Sequence, residues 1–264
     1  MNGFKYCFGP VGSWRLGVSL GIDPVSRQEK VCTFDCVYCQ LGRAAAACVH
    51  RAVYVGHAEL GAELDAFNAT ADYVTFSGRG EPTLAANLAE LLAECRRHRR
   101  EKTAILTNSS LICSREVREE LAAFDLVVAK LDAPDQALFN EINRPASGLS
   151  FEAIVEGLKL FSSCPRGRLA VQTMLVSRNK SRVLEMAGLY AAIRPDEVQL
   201  NTPLRPCGEK PLSRAEMDLA AAIIRAELER LGAGGIKVID VYSAKAPKPV
   251  PVSSVDTLRR RGKI

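Results

Sequence analysis

The stretch YVTFSGRGEPTLAANLAELLAEC occupies residues 73–95 and combines a strand, a glycine-containing turn and a helix. Its first part, residues 73–77, is short and rich in β-formers. From Leu84 the apolar residues recur at i, i+4, i+7, i+8 and i+11, which is one face of a helix over residues 84–95. The stretch therefore predicts one β–α unit whose turn carries polar groups.

The same alternation continues along the chain. Strands are predicted at residues 16–22, 73–77, 103–107, 126–131, 169–176 and 198–200. Further helices are predicted at residues 114–124, 150–161, 181–192 and 213–231, each beginning at a serine that can act as N-cap. This order predicts an α/β fold with a parallel sheet and right-handed crossovers. Six units favour a partial (β/α)6 barrel of the TIM type, although an open doubly wound sheet fits the same pattern.

Composition places the chain among soluble globular proteins. Of 264 residues, 47% are hydrophobic and 25% are charged. No apolar run of about 18 residues is present, so no contact with a membrane is expected. The formal net charge of +5 equals the excess in residues 245–264, which hold six basic residues and one acidic residue. We therefore expect one domain over residues 1–244, followed by a proline-containing basic tail over residues 245–264.

Three cysteines, Cys32, Cys36 and Cys39, form a C-x3-C-x2-C cluster within KVCTFDCVYCQLGR, residues 30–43. Three thiolates this close can hold three irons of a [4Fe–4S] cluster and leave the fourth iron open to a small molecule. A structural zinc site is the alternative, although it usually needs four ligands, and only Cys48 and His50 lie nearby. Nine cysteines and no recognisable signal peptide predict a reducing, cytoplasmic location.

Polar or glycine-rich residues follow nearly every predicted strand. Gly78–Pro82 follow the second strand, Asn108 follows the third, Lys130 and Asp132 end the fourth, and Asn201 begins the polar run after the sixth. In parallel α/β folds the chemistry lies at the carboxyl ends of the strands. We therefore expect these groups and the cysteine loop to meet at one rim.

The order of motifs resembles that of the radical S-adenosylmethionine (SAM) enzymes, in particular the subgroup related to the wyosine-forming tRNA enzyme. The resemblance covers about residues 4–206. The motifs that carry it are the cysteine cluster, FGPVGSWRLGVSLGIDPV (8–25), TFSGRGEPTL (75–84), LTNSS (106–110), KLDAP (130–134), NRP (143–145) and NTPLRP (201–206).

The resemblance implies that a [4Fe–4S] cluster on the three cysteines binds SAM, takes an electron from a donor such as ferredoxin or flavodoxin, and yields a 5′-deoxyadenosyl radical. The radical removes a hydrogen atom from a substrate. The residues implied or suggested as cofactor-binding are Tyr38, Gly78, Gly80, Glu81, Asn108, Asp132 and Asn201.

Three cations complete the predicted site. Lys130, Arg144 and Arg205 are expected at the active rim, where Lys130 could instead form a structural ion pair with a neighbouring carboxylate. Arg144 and Arg205 precede prolines, which predicts extended backbones, and their guanidinium groups suit carboxylates and phosphates.

The substrate is left open between a small molecule, a tRNA and a protein. The wyosine-forming enzymes bind a second cluster through three upstream cysteines, whereas only Cys7 lies upstream here, so a single cluster is expected. The alternatives are a nucleoside-modifying enzyme, an activase for a glycyl-radical enzyme, and a non-catalytic iron–sulfur sensor.

Overall fold

The computed structural model describes residues 4–43, 48–165, 167–243 and 245–253, together with residues 255 and 257. In this described part of the chain, eight strands form one sheet in the order of the sequence. β1 pairs with β2 antiparallel, and every later pair of neighbours is parallel. The strands are β1 (Cys7–Ser13), β2 (Gly17–Ile22), β3 (Tyr73–Phe76), β4 (Lys102–Thr107), β5 (Leu126–Lys130), β6 (Arg168–Met174), β7 (Glu197–Asn201) and β8 (Lys237–Asp240).

The predicted partial barrel is confirmed. The six predicted strands correspond to β2–β7, with ends that differ by one or two residues. A doubly wound sheet reverses its strand order at a switch point. Here the order never reverses, and the sheet curls into a half-barrel.

Sequence reasoning missed the two edge strands. β1 contains Gly9 and Pro10, which normally argue against a strand and are tolerated at an edge. β8 has only four residues, KVID, and follows a glycine-rich turn. Both strands extend the half-barrel beyond the six predicted units.

Helices cover the convex side of the sheet, and the main apolar core lies between them and the strands. A smaller apolar cluster of Leu16, Ala104, Leu126, Val128 and Ala170 lies on the concave side. The helices are α1 (His57–Ala66), α2 (Leu88–His98), α3 (Arg115–Ala122), α4 (Gln136–Asn143), α5 (Phe151–Ser163), α6 (Val183–Ile193) and α7 (Arg214–Arg230).

The serine N-caps are confirmed at two of four helices. Ser150 and Ser213 each accept a backbone hydrogen bond, from Ala153 and Glu216 respectively. Ser114 precedes α3 without such a bond. Ser181 was a wrong prediction, because it lies inside a 3-10 turn and α6 begins two residues later.

The predicted helix over residues 84–95 also begins later than expected. The Glu81 carboxylate accepts the Thr83 amide and stabilises a 3-10 turn over Pro82–Leu84. The extended backbone of Ala85 then separates this turn from α2. The apolar face was nevertheless correctly predicted, since Leu84 through Cys95 bury the expected positions.

The described part of the C-terminal segment lies along the outer edge of β1. Ser253 forms an antiparallel bridge with Gly9, and the Val252 amide donates to the Gly9 carbonyl at 2.7 Å. The Gly9 amide in turn donates to the Thr257 hydroxyl at 3.0 Å. Covering an edge strand removes an exposed row of backbone donors and acceptors. Among the described residues, no helix is long and apolar enough to cross a membrane.

Candidate active site

The cysteine loop, residues 23–43, follows β2 and rests on the glycine-containing turn that follows β3. Val31 and Gly80 form a parallel bridge, and the Glu81 amide donates to the Val31 carbonyl at 2.9 Å. A Cβ atom on Gly80 would lie 1.7 Å from the Val31 carbonyl oxygen. Glycine is therefore required here because the two backbones are in direct contact.

The other side of the loop is fixed by the NRP segment at the end of α4. Phe34 pairs with Pro145 in an antiparallel bridge. The Asp35 amide donates to the Asn143 carbonyl at 3.0 Å. These backbone contacts determine where the middle cysteine lies.

A third contact comes from the end of β4. The Asn108 side-chain amide donates to the Thr33 hydroxyl at 2.7 Å, and that hydroxyl donates to Ser110 at 2.7 Å. All three residues are at least nine-tenths buried. The turn after β3, the end of β4 and the end of α4 therefore all hold the cysteine loop, as expected for a rim of strand ends.

Two cysteine sulfurs receive side-chain amide donors. Asn108 Nδ2 lies 3.5 Å from Cys32 Sγ, and Asn143 Nδ2 lies 3.4 Å from Cys36 Sγ. Such N–H groups stabilise negative charge on sulfur and tune an iron–sulfur cluster. Asn143 was not selected from the sequence, although it is the first residue of the NRP motif.

Lys30 supplies positive charge beside the cysteines. Burial alone would lower the pKa of its ammonium, but the charges of Cys39, Cys32 and Cys36 raise the pKa above its ordinary value. The side chain is buried, and its Nζ donates to the Gly42 carbonyl at 3.1 Å. Lys30 therefore interacts electrostatically with all three cysteines.

The thiols suit an iron–sulfur cluster. Burial raises the pKa of Cys32 to about 12 and that of Cys36 to about 11, so iron would displace a proton from each of these thiols on binding. Within the described ranges, no three His, Cys, Asp or Glu side chains are grouped so as to bind a single metal ion. A cluster makes a different demand, because each thiolate binds its own iron.

Glu81 is a buried carboxylate that holds the rim together. Its Oε1 accepts hydrogen bonds from Thr83 and from the Thr107 hydroxyl at 2.6 Å, and its Oε2 accepts from the Asn108 amide at 2.6 Å. Burial raises its pKa, and these donors oppose that shift. The carboxylate thus joins the turn after β3 to the end of β4.

Gly78, the first glycine of the turn, contacts Asp23 at the end of β2. A Cβ atom there would lie 2.2 Å from the Asp23 carboxyl carbon. Asp23 is fully buried and accepts a hydrogen bond from the Arg79 amide at 3.3 Å. Sequence reasoning missed Asp23, although it directly follows the first predicted strand.

Asp132, at the end of β5, is the centre of a second buried network. It accepts hydrogen bonds from the Tyr38 hydroxyl, from Asn143 Nδ2 at 2.8 Å and from the Met174 amide at 2.7 Å. Lys130 Nζ lies 3.5 Å from the same carboxylate and 4.6 Å from the centre of the Tyr38 ring. The predicted ion pair of Lys130 with a neighbouring carboxylate is therefore present.

The network ties the cysteine loop to the middle of the sheet. Burial and the charge of Asp132 raise the pKa of Tyr38 well above its ordinary value, so the phenol stays protonated and donates. Tyr38 and Asp132, both predicted to bind cofactor, are thus in direct contact.

The remaining predicted residues lie further along the rim. Arg205 donates to Gln40 Oε1 at 2.5 Å, one residue beyond the last cysteine of the cluster. Asn201 ends β7 and accepts the Thr202 amide at 2.9 Å. Arg144 is exposed, and its contact with the cysteine loop is made by its carbonyl, which accepts the Asp35 amide at 3.2 Å.

The prediction of an extended backbone at Arg144 is wrong. Its φ of 45° and ψ of 63° are left-handed, because the residue ends α4 at a left-handed C-cap position. That geometry turns the chain so that Pro145 can pair with Phe34.

Comparison with known proteins identifies the family. The model of the radical SAM superfamily matches residues 30–188. The chain belongs to the radical SAM superfamily. Two similar proteins are UPF0026 proteins from Synechocystis sp. and Methanocaldococcus jannaschii, which are 42% and 35% identical. The alignments cover 80% and 89% of this chain, and 79% and 75% of those proteins.

Solved radical SAM structures share the fold. Streptococcus suis SuiB bound to its precursor peptide SuiA has a TM-score of 0.63 and 18% identity over 83% of this chain. TYW1 with a lysine–pyruvate adduct bound has a TM-score of 0.57 and 17% identity over 79% of this chain. The chain spans about half the length of SuiB and 73% of that of TYW1.

Membership of the superfamily makes this chain an enzyme and implies SAM and an iron–sulfur cluster as its cofactors. Among the neighbours is a SAM-bound structure, anSMEcpe, with a TM-score of 0.60 and 19% identity, over 85% of this chain and 64% of its own length. At these identities the neighbours establish the half-barrel fold, and the assignment to the wyosine-related subgroup stays a prediction.

Proposed function

We propose that Cys32, Cys36 and Cys39 hold one [4Fe–4S] cluster whose open iron binds SAM. When bound, the cluster and SAM supply reductive cleavage to a 5′-deoxyadenosyl radical, which removes a hydrogen atom from the substrate. The protein positions both groups and excludes water, since the chemistry itself belongs to the cofactors.

The arrangement of the cysteine loop is the observation that carries this proposal. The loop is bound to three separate elements, through Val31, Thr33 and Phe34. Asn108 and Asn143 direct amide donors at two of its sulfurs. A loop held on three sides keeps its thiolates in a fixed arrangement, as a cluster with one open iron requires.

The residues around the loop divide into supporting and binding groups. Glu81 and Asp132 already accept several protein hydrogen bonds each, so we infer that they mainly position the turn after β3 and Tyr38. The half-buried backbone at Gly78 and the side chain of Asn201 are the groups we assign to SAM itself.

Two further parts of the proposal concern the surroundings. A small electron-transfer protein such as ferredoxin or flavodoxin would supply the electron. A cytoplasmic, reducing location fits the cysteines, all nine of which are free in the structure.

The test is anaerobic reconstitution with iron and sulfide, followed by SAM and a reductant. We expect 5′-deoxyadenosine from the native chain. Cys36→Ala should lose both the cluster absorbance and the product. Cys164→Ala is the control and should retain both, because Cys164 is exposed at the C-terminal end of α5. An intact cluster with bound SAM and no 5′-deoxyadenosine would favour a non-catalytic sensor instead.

A further inference from the structure

The concave face of the half-barrel carries a polar row in which the two glutamines are buried. Lys130, Gln172 and Gln199 are register partners on β5, β6 and β7, so they lie side by side on one face. Val128 and Ala170, two residues earlier on their strands, belong to the concave apolar cluster. Since side chains two apart on a strand share a face, the polar row points into the half-barrel.

The two glutamines of this row have unmet hydrogen-bonding groups. Gln172 is 6% exposed and Gln199 is 1% exposed. Among the described residues, neither Gln172 Nε2 nor Gln199 Oε1 has a hydrogen-bond partner. The Gln199 amide donates instead to Glu197 at 2.7 Å. Buried polar atoms are nearly always paired, so one free donor and one free acceptor on the same face indicate a ligand that satisfies them.

A cation lies in the β1–β2 turn, next to the concave apolar cluster. Arg15 directly precedes Leu16, which packs in the concave cluster. Its Nε is buried and has no acceptor within the described part of the chain. Burial, followed by the charge of Arg205, lowers the pKa of Arg15 to about 10, so the group is still a cation at neutral pH.

Two carboxylates on this side of the sheet form ion pairs with other cations. Glu197, on the same face as Gln199, pairs with Lys237 at 3.1 Å, and Asp132 pairs with Lys130. No ion pair with Arg15 is found among the described side chains. The Arg15 guanidinium therefore keeps a buried donor without an acceptor, and its planar donor fork suits a carboxylate or phosphate.

We propose that the concave face is the substrate site and that it takes an anion. The carboxylate or phosphate of the substrate binds between Arg15 and Arg205, and its polar groups reach Gln172 and Gln199. This assignment rests on the proposed function, and it deepens it by naming an anionic, hydrogen-bonding substrate class. Arg15 is a substrate-positioning residue that sequence reasoning did not select.

The test is nuclear magnetic resonance of the cluster-loaded protein labelled with ¹⁵N-arginine, in the oxidised state and without reductant. Inorganic phosphate and acetate are the probes, titrated at constant ionic strength against sodium chloride. The Arg15 Nε–H signal is assigned by its loss in Arg15→Gln. We expect a saturable shift of this signal with phosphate, acetate or both, and the stronger probe identifies the chemistry of the substrate anion.

Variants locate the effect. Arg205→Gln should weaken the binding of the probe about tenfold, as for the loss of a hydrogen bond to a charged group. Arg115→Gln is the matched control, because Arg115 is 87% exposed on α3 and should leave binding unchanged.

The proposal would be overturned by the absence of a saturable shift, by an equal shift with chloride, or by equal binding of the probe in Arg205→Gln. The titration is repeated with saturating SAM, because the SAM carboxylate is another source of an anion. Displacement of the probe by SAM would assign the cations to SAM and contradict a substrate site. Since the measurement needs no SAM cleavage, its failure is distinguishable from failure of the proposed activity.

Discussion

At the residue scale, two asparagines donate to cysteine sulfurs, but only one of them was predicted from the sequence. Asn108 was predicted as a polar group at a strand end, and it contacts both Thr33 and Cys32. Asn143 lies in the NRP motif, in which only Arg144 was predicted as a site residue. It is Asn143, however, that donates to Cys36 and Asp132. The order of motifs predicts that the NRP segment lies near the cysteine loop. Which of its side chains contacts the loop depends on the backbone geometry at the end of α4.

Replacement of Asn143 by Leu should lower the midpoint potential of the bound cluster. The amide donor stabilises the more negative, reduced cluster, so its loss disfavours reduction by on the order of 50 mV, which is about 1 kcal/mol for one electron. A redox titration followed by electron paramagnetic resonance measures the change. Asn140→Leu is the control because Asn140 is exposed on the same helix. Equal potentials in both variants would contradict a donor role for Asn143.

At the element scale, short runs of β-formers correctly predicted β2–β7, and the periodicity of apolar residues correctly predicted the buried face of α2. Short or atypical elements were not predicted. β1 contains Pro10, and α1 has Gly61 at its centre. The eight-residue helix α4 was also not predicted. Tertiary contacts stabilise these elements, so local sequence alone carries too little signal for them.

The packing of α1 on α2 predicts a pH dependence of stability. His98 on α2 lies 2.7 Å from Asp65 on α1 and 3.0 Å from Glu94, which also pairs with Arg97. Hydrogen bonds to Asp65 and Glu94 raise the pKa of His98 above its ordinary value. Because its pKa is higher in the folded state, protonated His98 stabilises the fold. This stabilisation is fully present at pH values below the unfolded-state pKa of about 6.5, and it is lost as the pH rises through the pKa of the folded state.

The measurement is chemical denaturation of the native chain and His98→Gln at several pH values. The native chain should have a larger free energy of unfolding than the variant. The difference should be greatest near pH ~6 and should shrink toward pH ~9. Asp65→Asn should reproduce part of the effect. A difference that does not change with pH would contradict the assigned pair.

At the scale of the whole molecule, the strand ends bring together segments far apart in sequence. The glycine-containing turn, the end of β4 and the NRP segment were each predicted at a rim, and the structure packs all three against one cysteine loop. The concave side could not be predicted in the same way. Strand register decides that Gln172 and Gln199 share a face, and the β1–β2 turn, which sequence reasoning missed, brings in Arg15.

The most direct test of the central claim is whether SAM binds iron through its amino group. The reconstituted protein is loaded with SAM carrying ¹⁵N at the α-amino position and reduced at cryogenic temperature, where the complex stays intact. Electron–nuclear double resonance should then detect a ¹⁵N coupling of the size expected for nitrogen bound directly to the cluster. A reduced cluster with bound SAM and no such coupling would contradict an open iron held by Cys32, Cys36 and Cys39.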